Sequence, residues 1–233
     1  MVKAMQIPRA IVFDLDGTLF DTSVDIVQAM NYAFSSTGRT PLEPAAFLQF
    51  VGDGARLLCA GAAGLPEDAP EVDTLVEAYV RYYVAHPLDH TRFMPGTRSA
   101  LEQLKHYQCA ICTNKPRAAT EAVLNKLELA DRFVTIVAGG DMPEKKPNPK
   151  PVLEIAARLG LAPAQLVVVG DGPQDVEAGR GAGARTVGII GTIVSEERLR
   201  AAGPDVLLDS MDELPSVMAR WAESTARASS RCL

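Results

Sequence analysis

Four short stretches carry the side chains with which this chain could do chemistry, and the first follows an apolar run without a break. Ala10 to Phe13 leads straight into Asp14-Leu15-Asp16-Gly17-Thr18. Two carboxylates two residues apart point the same way if the chain stays extended, Gly17 permits a sharp turn, and Thr18 adds a hydroxyl and a backbone N–H beside the first acid. That arrangement suits a phosphate, although an ordinary D-x-D-G turn has the same letters. The second stretch is Thr113-Asn114-Lys115, with Pro116 opening a helix. A hydroxyl and backbone N–H groups at a helix start suit a phosphate, or simply cap the helix. The third is Glu144-Lys145-Lys146-Pro147-Asn148-Pro149. A proline holds the residue before it extended, so Lys146 is expected to be the positioned ammonium and Lys145 a solvated neighbour. The fourth, Gly170-Asp171-Gly172-Pro173-Gln174-Asp175, brings another pair of acids.

Acids gathered at one place repel by about 4 kcal/mol per pair at ~4 Å with an effective dielectric near 20, so they stay ionised together only around a counter-charge. Hard oxygen ligands of this kind suggest Mg²⁺, which keeps several waters and shares an oxygen with a substrate phosphate. Gly170-x-Gly172 also begins the G-x-G-x-x-G of dinucleotide sites. Asp175 stands where the third glycine belongs, however, and would set a carboxylate against the pyrophosphate.

These groups must be carried to one edge by the elements before them. From residue 96 on, the pattern reads as helix 97–105, strand 108–112, helix 117–127, strand 133–137, helix 150–159, strand 166–169 and helix 175–181. Strand-like 186–190 and 206–208 follow, then a helix over 211–222. This βα repeat, with the continuously apolar strand at 10–13, predicts an α/β fold: a doubly wound, Rossmann-like parallel sheet whose strand ends bind ligands. Between the first strand and the repeat, residues 22–91 show only helical patterns. They lie at about 24–37, 45–51, 55–62 and 70–85, which reads as a small all-helical cap inserted into the core. The expected organisation is a core of 1–21 and 92–222, a cap of 22–91 and a disordered polar tail of 223–233.

Composition narrows the function classes. The 233 residues are 47% hydrophobic with a net charge of −6, so there is no basic stripe to follow a nucleic acid and any anion must be held locally. No apolar run approaches the roughly 18 residues a membrane span needs, and the nine residues before the first strand are too few for a signal sequence, which makes the cytoplasm the expected location. Cys109 and Cys112 spell C-x-x-C within an apolar strand, where an odd separation sends them to opposite faces as packed thiols. Cys59 and Cys232 suggest no disulfide framework.

Asp14-x-Asp16-Gly17-Thr18, Thr113-Asn114, Lys146-Pro147 and Gly170-Asp171-x-x-x-Asp175 are together similar, in order and context, to the four motifs of the haloacid dehalogenase-like hydrolases. The match spans the core, the helical insertion resembles the family's small cap, and Gly139-Gly140-Asp141 with Lys146-Pro147-x-Pro149 looks like its phosphoglycolate phosphatase branch. Gly172 departs from the pattern, where members often carry serine.

The resemblance implies an enzyme, a Mg²⁺-dependent phosphatase of a small phosphate monoester of the phosphoglycolate kind. In it Asp14 would attack the phosphorus and carry an aspartyl-phosphate, and Asp16 would serve as general acid and base. Thr113 and the Asn114 backbone would hold the phosphoryl oxygens, with Lys146 opposite. Asp14, the Asp16 carbonyl and Asp171 would hold the metal, with Asp175 anchoring its waters or Lys146. A sugar-phosphate phosphatase or a phosphosugar mutase uses the same core residues. Dehalogenation needs no acid such as Asp16, and the family's phosphonate hydrolysis needs a cap lysine, whereas no lysine lies between Lys3 and Lys105. A non-enzymatic phospho-receiver lacks both the inserted cap and Asp16. Because the core motifs touch only phosphate, selection among esters is expected from the cap, through Gly52-Asp53-Gly54 and Arg56, whose guanidinium could grip a small carboxylate.

Overall fold

The computed structural model describes residues 6–230. β1 (Ala10–Phe13) is buried along its whole length and pairs in parallel with a strand on each side, which is why it is apolar without alternation. After β2 (Phe20–Asp21) come α1 (Ser23–Ser36), α2 (Pro44–Leu48), α3 (Ala55–Ala63) and α4 (Pro70–Ala85), then β3 (Arg92–Phe93). From there the elements alternate: α5 (Thr97–Gln103), β4 (Gln108–Pro116), α6 (Arg117–Lys126), β5 (Thr135–Gly139), α7 (Lys150–Leu159), β6 (Leu166–Gly170), α8 (Pro173–Ala182), β7 (Arg185–Ile189), α9 (Glu196–Ala202), β8 (Val206–Leu208) and α10 (Leu214–Ser230). Six of the strands form one parallel sheet in the order β5-β4-β1-β6-β7-β8. The chain builds outward from β1 on both sides, and the carboxyl ends of β4, β1 and β6 meet where that order reverses.

Successive residues of each strand serve opposite faces. Val12, Ala110, Cys112 and Val168 pack with Val152 and Ile155 of α7 and Ala178 of α8. Phe13, Ile111, Val167 and Val169 lie on the other face, in a cluster that reaches Val123 of α6 and continues into the cap. Cys109 and Cys112 fall on opposite faces, and both are buried free thiols, as is Cys59; Cys232 lies outside the described residues. This is the doubly wound parallel core, with helices on both faces and a small helical cap.

In the cap, α1 lies along α4, and Met30, Phe34, Phe47, Leu75 and Tyr79 are buried there. The rings of Phe34 and Phe47 meet edge to face at 5.4 Å. Asp25 at the start of α1 is buried, and its carboxylate accepts hydrogen bonds from the His90 and Thr91 N–H groups and from the Thr91 hydroxyl at 2.7–2.9 Å. It thereby clamps the entry of the cap to its exit.

Three expectations need correction. β4 runs on to Pro116 rather than ending at 112, with its register against β5 shifting between Cys112 and Pro116, so the polar Thr113-Asn114-Lys115 belongs to the strand. The antiparallel ribbon of β2 and β3 was not expected, because two residues have no periodicity; Phe20 faces Phe93 and Asp21 faces Arg92. The tail expected to be disordered from residue 223 is helical as far as Ser230, an extension of an amphipathic helix that buries Val217 and Met218; residues 231–233 lie outside the described residues.

Candidate active site

Asp14 follows β1 directly and its N–H is held by the Val169 carbonyl of β6 at 2.9 Å, so the central strands aim its carboxylate out of the sheet edge. Asp171 follows β6, and Asp175 lies in the first turn of α8. One carboxylate oxygen from each of Asp14, Asp171 and Asp175 lies within 4.8 Å of the others, and all three residues are buried. Glycines make this crowding possible. A Cβ on Gly170 would stand 2.1 Å from the Asp175 carboxyl carbon, and one on Gly17, whose φ is +76°, 2.2 Å from Asp171 Oδ2.

Lys146 reaches into the cluster from the loop before α7, with Nζ 2.8 Å from Asp14 Oδ1 and 2.5 Å from Asp175 Oδ1. Its side chain is 1% exposed, while that of Lys145 is 39% exposed and lies 3.7 Å from Glu67. Burial alone would lower the Lys146 pKa, but Asp14 and Asp175 outweigh it and hold the ammonium charged. Asp175 Oδ2 accepts the Gly172 N–H at 3.1 Å, so both of its oxygens are engaged. Burial, together with the Asp14 charge, pushes the Asp175 carboxyl up to about 6 against the pull of Lys146. Asp171 is driven well above the usual carboxylate range by burial and by the charges of Asp14 and Asp175, and only the Thr18 hydroxyl, 3.2 Å away, and Lys146 counter this.

Three carboxylates against one ammonium leave a formal −2 in the cluster. Asp171 Oδ2 is buried without a hydrogen-bond donor, and Asp14 Oδ1 has only the ion pair to Lys146. An all-oxygen set with an orphaned carboxylate oxygen, whose acids are kept by crowding from ionising together, fits a divalent hard cation that would let them do so.

Asp16 lies on the outer side of the cluster. Its Oδ1 accepts the Thr22 hydroxyl at 2.7 Å, and Lys115 Nζ donates to both of its oxygens at 2.9 and 3.1 Å. The Lys115 ammonium also sits 3.8 Å from the centre of the Tyr83 ring of α4. Sequence reasoning missed this lysine, because the register of β4 shifts between Cys112 and Pro116 and alternation along the strand does not say which way it points. Thr113 is buried, and its hydroxyl accepts the Lys115 N–H at 3.2 Å. The Asn114 side chain bridges two loops: its amide donates to the carbonyls of Gly52 in the cap and Lys146 in the core, both at 2.8 Å, while its oxygen accepts the Lys146 N–H.

Between cap and sheet edge lies a cavity with about 30 Å³ of water-accessible volume, lined by Asp14, Asp16, Thr113, Asn114 and Lys115 below and by Ile26, Phe50, Val51, Leu58 and Tyr79 above. Since a water needs about 10–15 Å³ on this measure, the cavity holds about two waters. A more open chamber of about 450 Å³ adjoins it, sharing Gly54, Ala55, Asn114 and Pro116 and lined also by Arg56, Glu67, Val80, Met142 and Lys145. The two cap residues expected to read the substrate do not join the inner site. Asp53 is exposed at the loop tip, and Arg56 turns to Asp73 of α4 at 2.5 Å in an exposed pair.

A family model described as haloacid dehalogenase-like hydrolase matches residues 11–189. The chain is 31% identical to an N-acetylmuramic acid 6-phosphate phosphatase of Pseudomonas aeruginosa, over 94% of this chain and 98% of that protein. It is 34% identical to a phosphoglycolate phosphatase of Chromobacterium violaceum, over 90% of this chain and 96% of the relative. A crystal structure from Haemophilus somnus, described as a predicted phosphoglycolate phosphatase, superimposes with a TM-score of 0.83 at 26% identity, covering 91% of this chain and 99% of that one.

Proposed function

Since the chain belongs to the haloacid dehalogenase-like hydrolases, we propose that it is a Mg²⁺-dependent phosphatase that hydrolyses a small phosphate monoester of the phosphoglycolate kind through an aspartyl-phosphate. The observation that carries this reading is the buried cluster in which Asp14, Asp171 and Asp175 converge around one lysine with a formal charge of −2. Its relatives support the class: they are phosphatases of small phosphate esters by name.

In this mechanism an Asp14 carboxylate oxygen bonds to phosphorus as the bond from phosphorus to the alcohol oxygen breaks. Water then attacks the acyl phosphate, releasing phosphate and regenerating the carboxylate, so that one hard displacement becomes two easier ones. Asp16 would protonate the leaving alkoxide and later take a proton from the attacking water, which requires one of the donors that now hold its oxygens, Lys115 or Thr22, to give way. Lys146, held charged, faces the transferring phosphoryl group, while Thr113 and the Asn114 backbone take its oxygens. Asp14, the Asp16 carbonyl and Asp171 would hold Mg²⁺, which when bound neutralises charge as two anions approach. Asp175, already engaged by Lys146 and Gly172, orients the lysine. The apolar cap residues limit water at the inner cavity, and the ester would reach it through the adjoining outer chamber or by movement of the cap.

The test is phosphate release from a panel of esters, with and without Mg²⁺, read beside thermal unfolding. Release is expected only with the metal. Because the Asp171 pKa is raised in the fold, Mg²⁺ must displace a proton there, so its affinity should grow with pH. The metal should therefore raise the melting temperature more at pH 8 than at pH 5. Full turnover in EDTA, or a thermal shift larger at pH 5, would count against the assignment. The outer chamber of about 450 Å³ favours a second reading, a sugar-sized alcohol, and the panel separates the two.

A further inference from the structure

We propose that Lys115, and not Arg56, is the residue that receives the carboxylate of such a phosphoglycolate-like ester and so reads the alcohol part of the substrate. The inference rests on the phosphatase reading above and adds the residue that selects the ester.

Among the side chains that line the inner cavity, Lys115 carries the only positive charge. Lys146 is committed to Asp14 and Asp175, and Arg56 and Lys145 line the outer chamber, each beside an acid of the cap. Lys115 comes from β4, so it keeps its place beside the phosphate-facing groups whatever the cap does. Its ammonium is buried, with a side chain 1% exposed, and the Tyr83 ring above it favours a cation there while keeping water out.

Lys115 donates to both Asp16 oxygens, which is one hydrogen bond more than an ion pair needs. One N–H can pass to a ligand while the other keeps Asp16 in place. With the phosphorus at Asp14 and the leaving oxygen at Asp16, a carboxylate on the adjoining carbon falls beside the groups that touch Asp16, the Thr22 hydroxyl and Lys115, and of these only Lys115 carries a charge to receive it. A carboxylate on a longer spacer would pass toward the outer chamber instead. The same lysine therefore links the acid–base residue to the charged end of the leaving group, and an ester without that charge leaves the ammonium with nothing new to hold.

The experiment compares 2-phosphoglycolate with ethyl phosphate, the same ester lacking the carboxylate, on the full chain with Mg²⁺. Wild-type protein is expected to prefer 2-phosphoglycolate by about 100-fold or more in kcat/KM, and Lys115→Met to lose most of that preference, with glycolate weakened as a product inhibitor and Lys115→Arg retaining part of it. A preference that survives Lys115→Met, or a wild type with none, overturns the proposal. If both esters fall equally in Lys115→Met, the lysine serves only Asp16 or the fold, and the proposal is again overturned. Should Lys115→Met not fold, inhibition of the wild type decides: glycolate must inhibit far better than ethylene glycol, and equal inhibition overturns the proposal. A wild type that hydrolyses neither ester but does cleave an aryl phosphate refutes only the substrate assignment. One that cleaves none of the three refutes the phosphatase reading as well.

Discussion

The two walls of the inner cavity are built on opposite terms. Below, the sheet edge presents Asp14, Asp16 and Lys115, with Asp171, Asp175 and Lys146 packed against Asp14 behind them, each paired or crowded and nearly all buried. Above, the cap offers Ile26, Phe50, Val51, Leu58 and Tyr79. The charged wall has its geometry fixed by opposite charges, by strand ends and by glycines with no room for a side chain. The apolar wall is held to the core at its loop by the Asn114 bond to the Gly52 carbonyl, and its side chains work by shape and by keeping water away. The groups suited to chemistry are thus gathered on the core side of the cavity, and those suited to excluding water on the cap side.

Substitutions should separate the walls by size of effect. Asp14→Asn is expected to be the most severe, since loss of a nucleophile commonly costs 10⁴-fold or more in kcat; more than a few per cent of wild-type turnover would contradict a covalent role. Lys146→Ala should follow, at about 10²-fold or more in kcat. It should also bring a loss of about 3–5 kcal/mol in stability, because buried acids are left without their partner. Lys145→Ala should do little by either measure, so equal kinetic effects of the two would erase the distinction drawn from their burial. At the small end, Arg56→Ala removes an exposed pair with Asp73, and such pairs contribute about 0–1 kcal/mol. Thermal unfolding should barely shift and kcat/KM for 2-phosphoglycolate should stay within about 3-fold, whereas a loss above ~10-fold would return substrate reading to the cap.

How much of this was legible in the chain follows the same division. Asp14, Asp171 and Lys146 could be placed from their neighbours, because an apolar strand or a stiff proline beside each one fixes its direction locally. The partnership of Lys115 with Asp16 spans 99 residues, and nothing near either residue announces it. It arises only when β1 and β4 are laid side by side. Arg56 shows the converse. Its sequence setting, a cation beside a glycine-flanked loop, is equally suited to gripping a ligand or to solvation, and Asp73, 17 residues on, draws it aside. The extent of β4 was misjudged because polar side chains at a sheet edge resemble a strand exit, whereas here they remain in the strand to serve the cleft.

The small ribbon of β2 and β3 carries one more consequence. Both chain crossings between sheet and cap run through it, with Phe20 against Phe93 and Asp21 against Arg92, and the Asp25 clamp ties the same two segments immediately beyond. In mechanical terms these are two hinge pins on one short axis. Swinging the cap about that axis bends two connections together, while sliding or twisting it would tear the ribbon or unseat Asp25. A cap that swung about this axis would bring the ring of Tyr83 back to the same place above Lys115. A loosened ribbon should therefore cost reproducibility of closure before it costs folding.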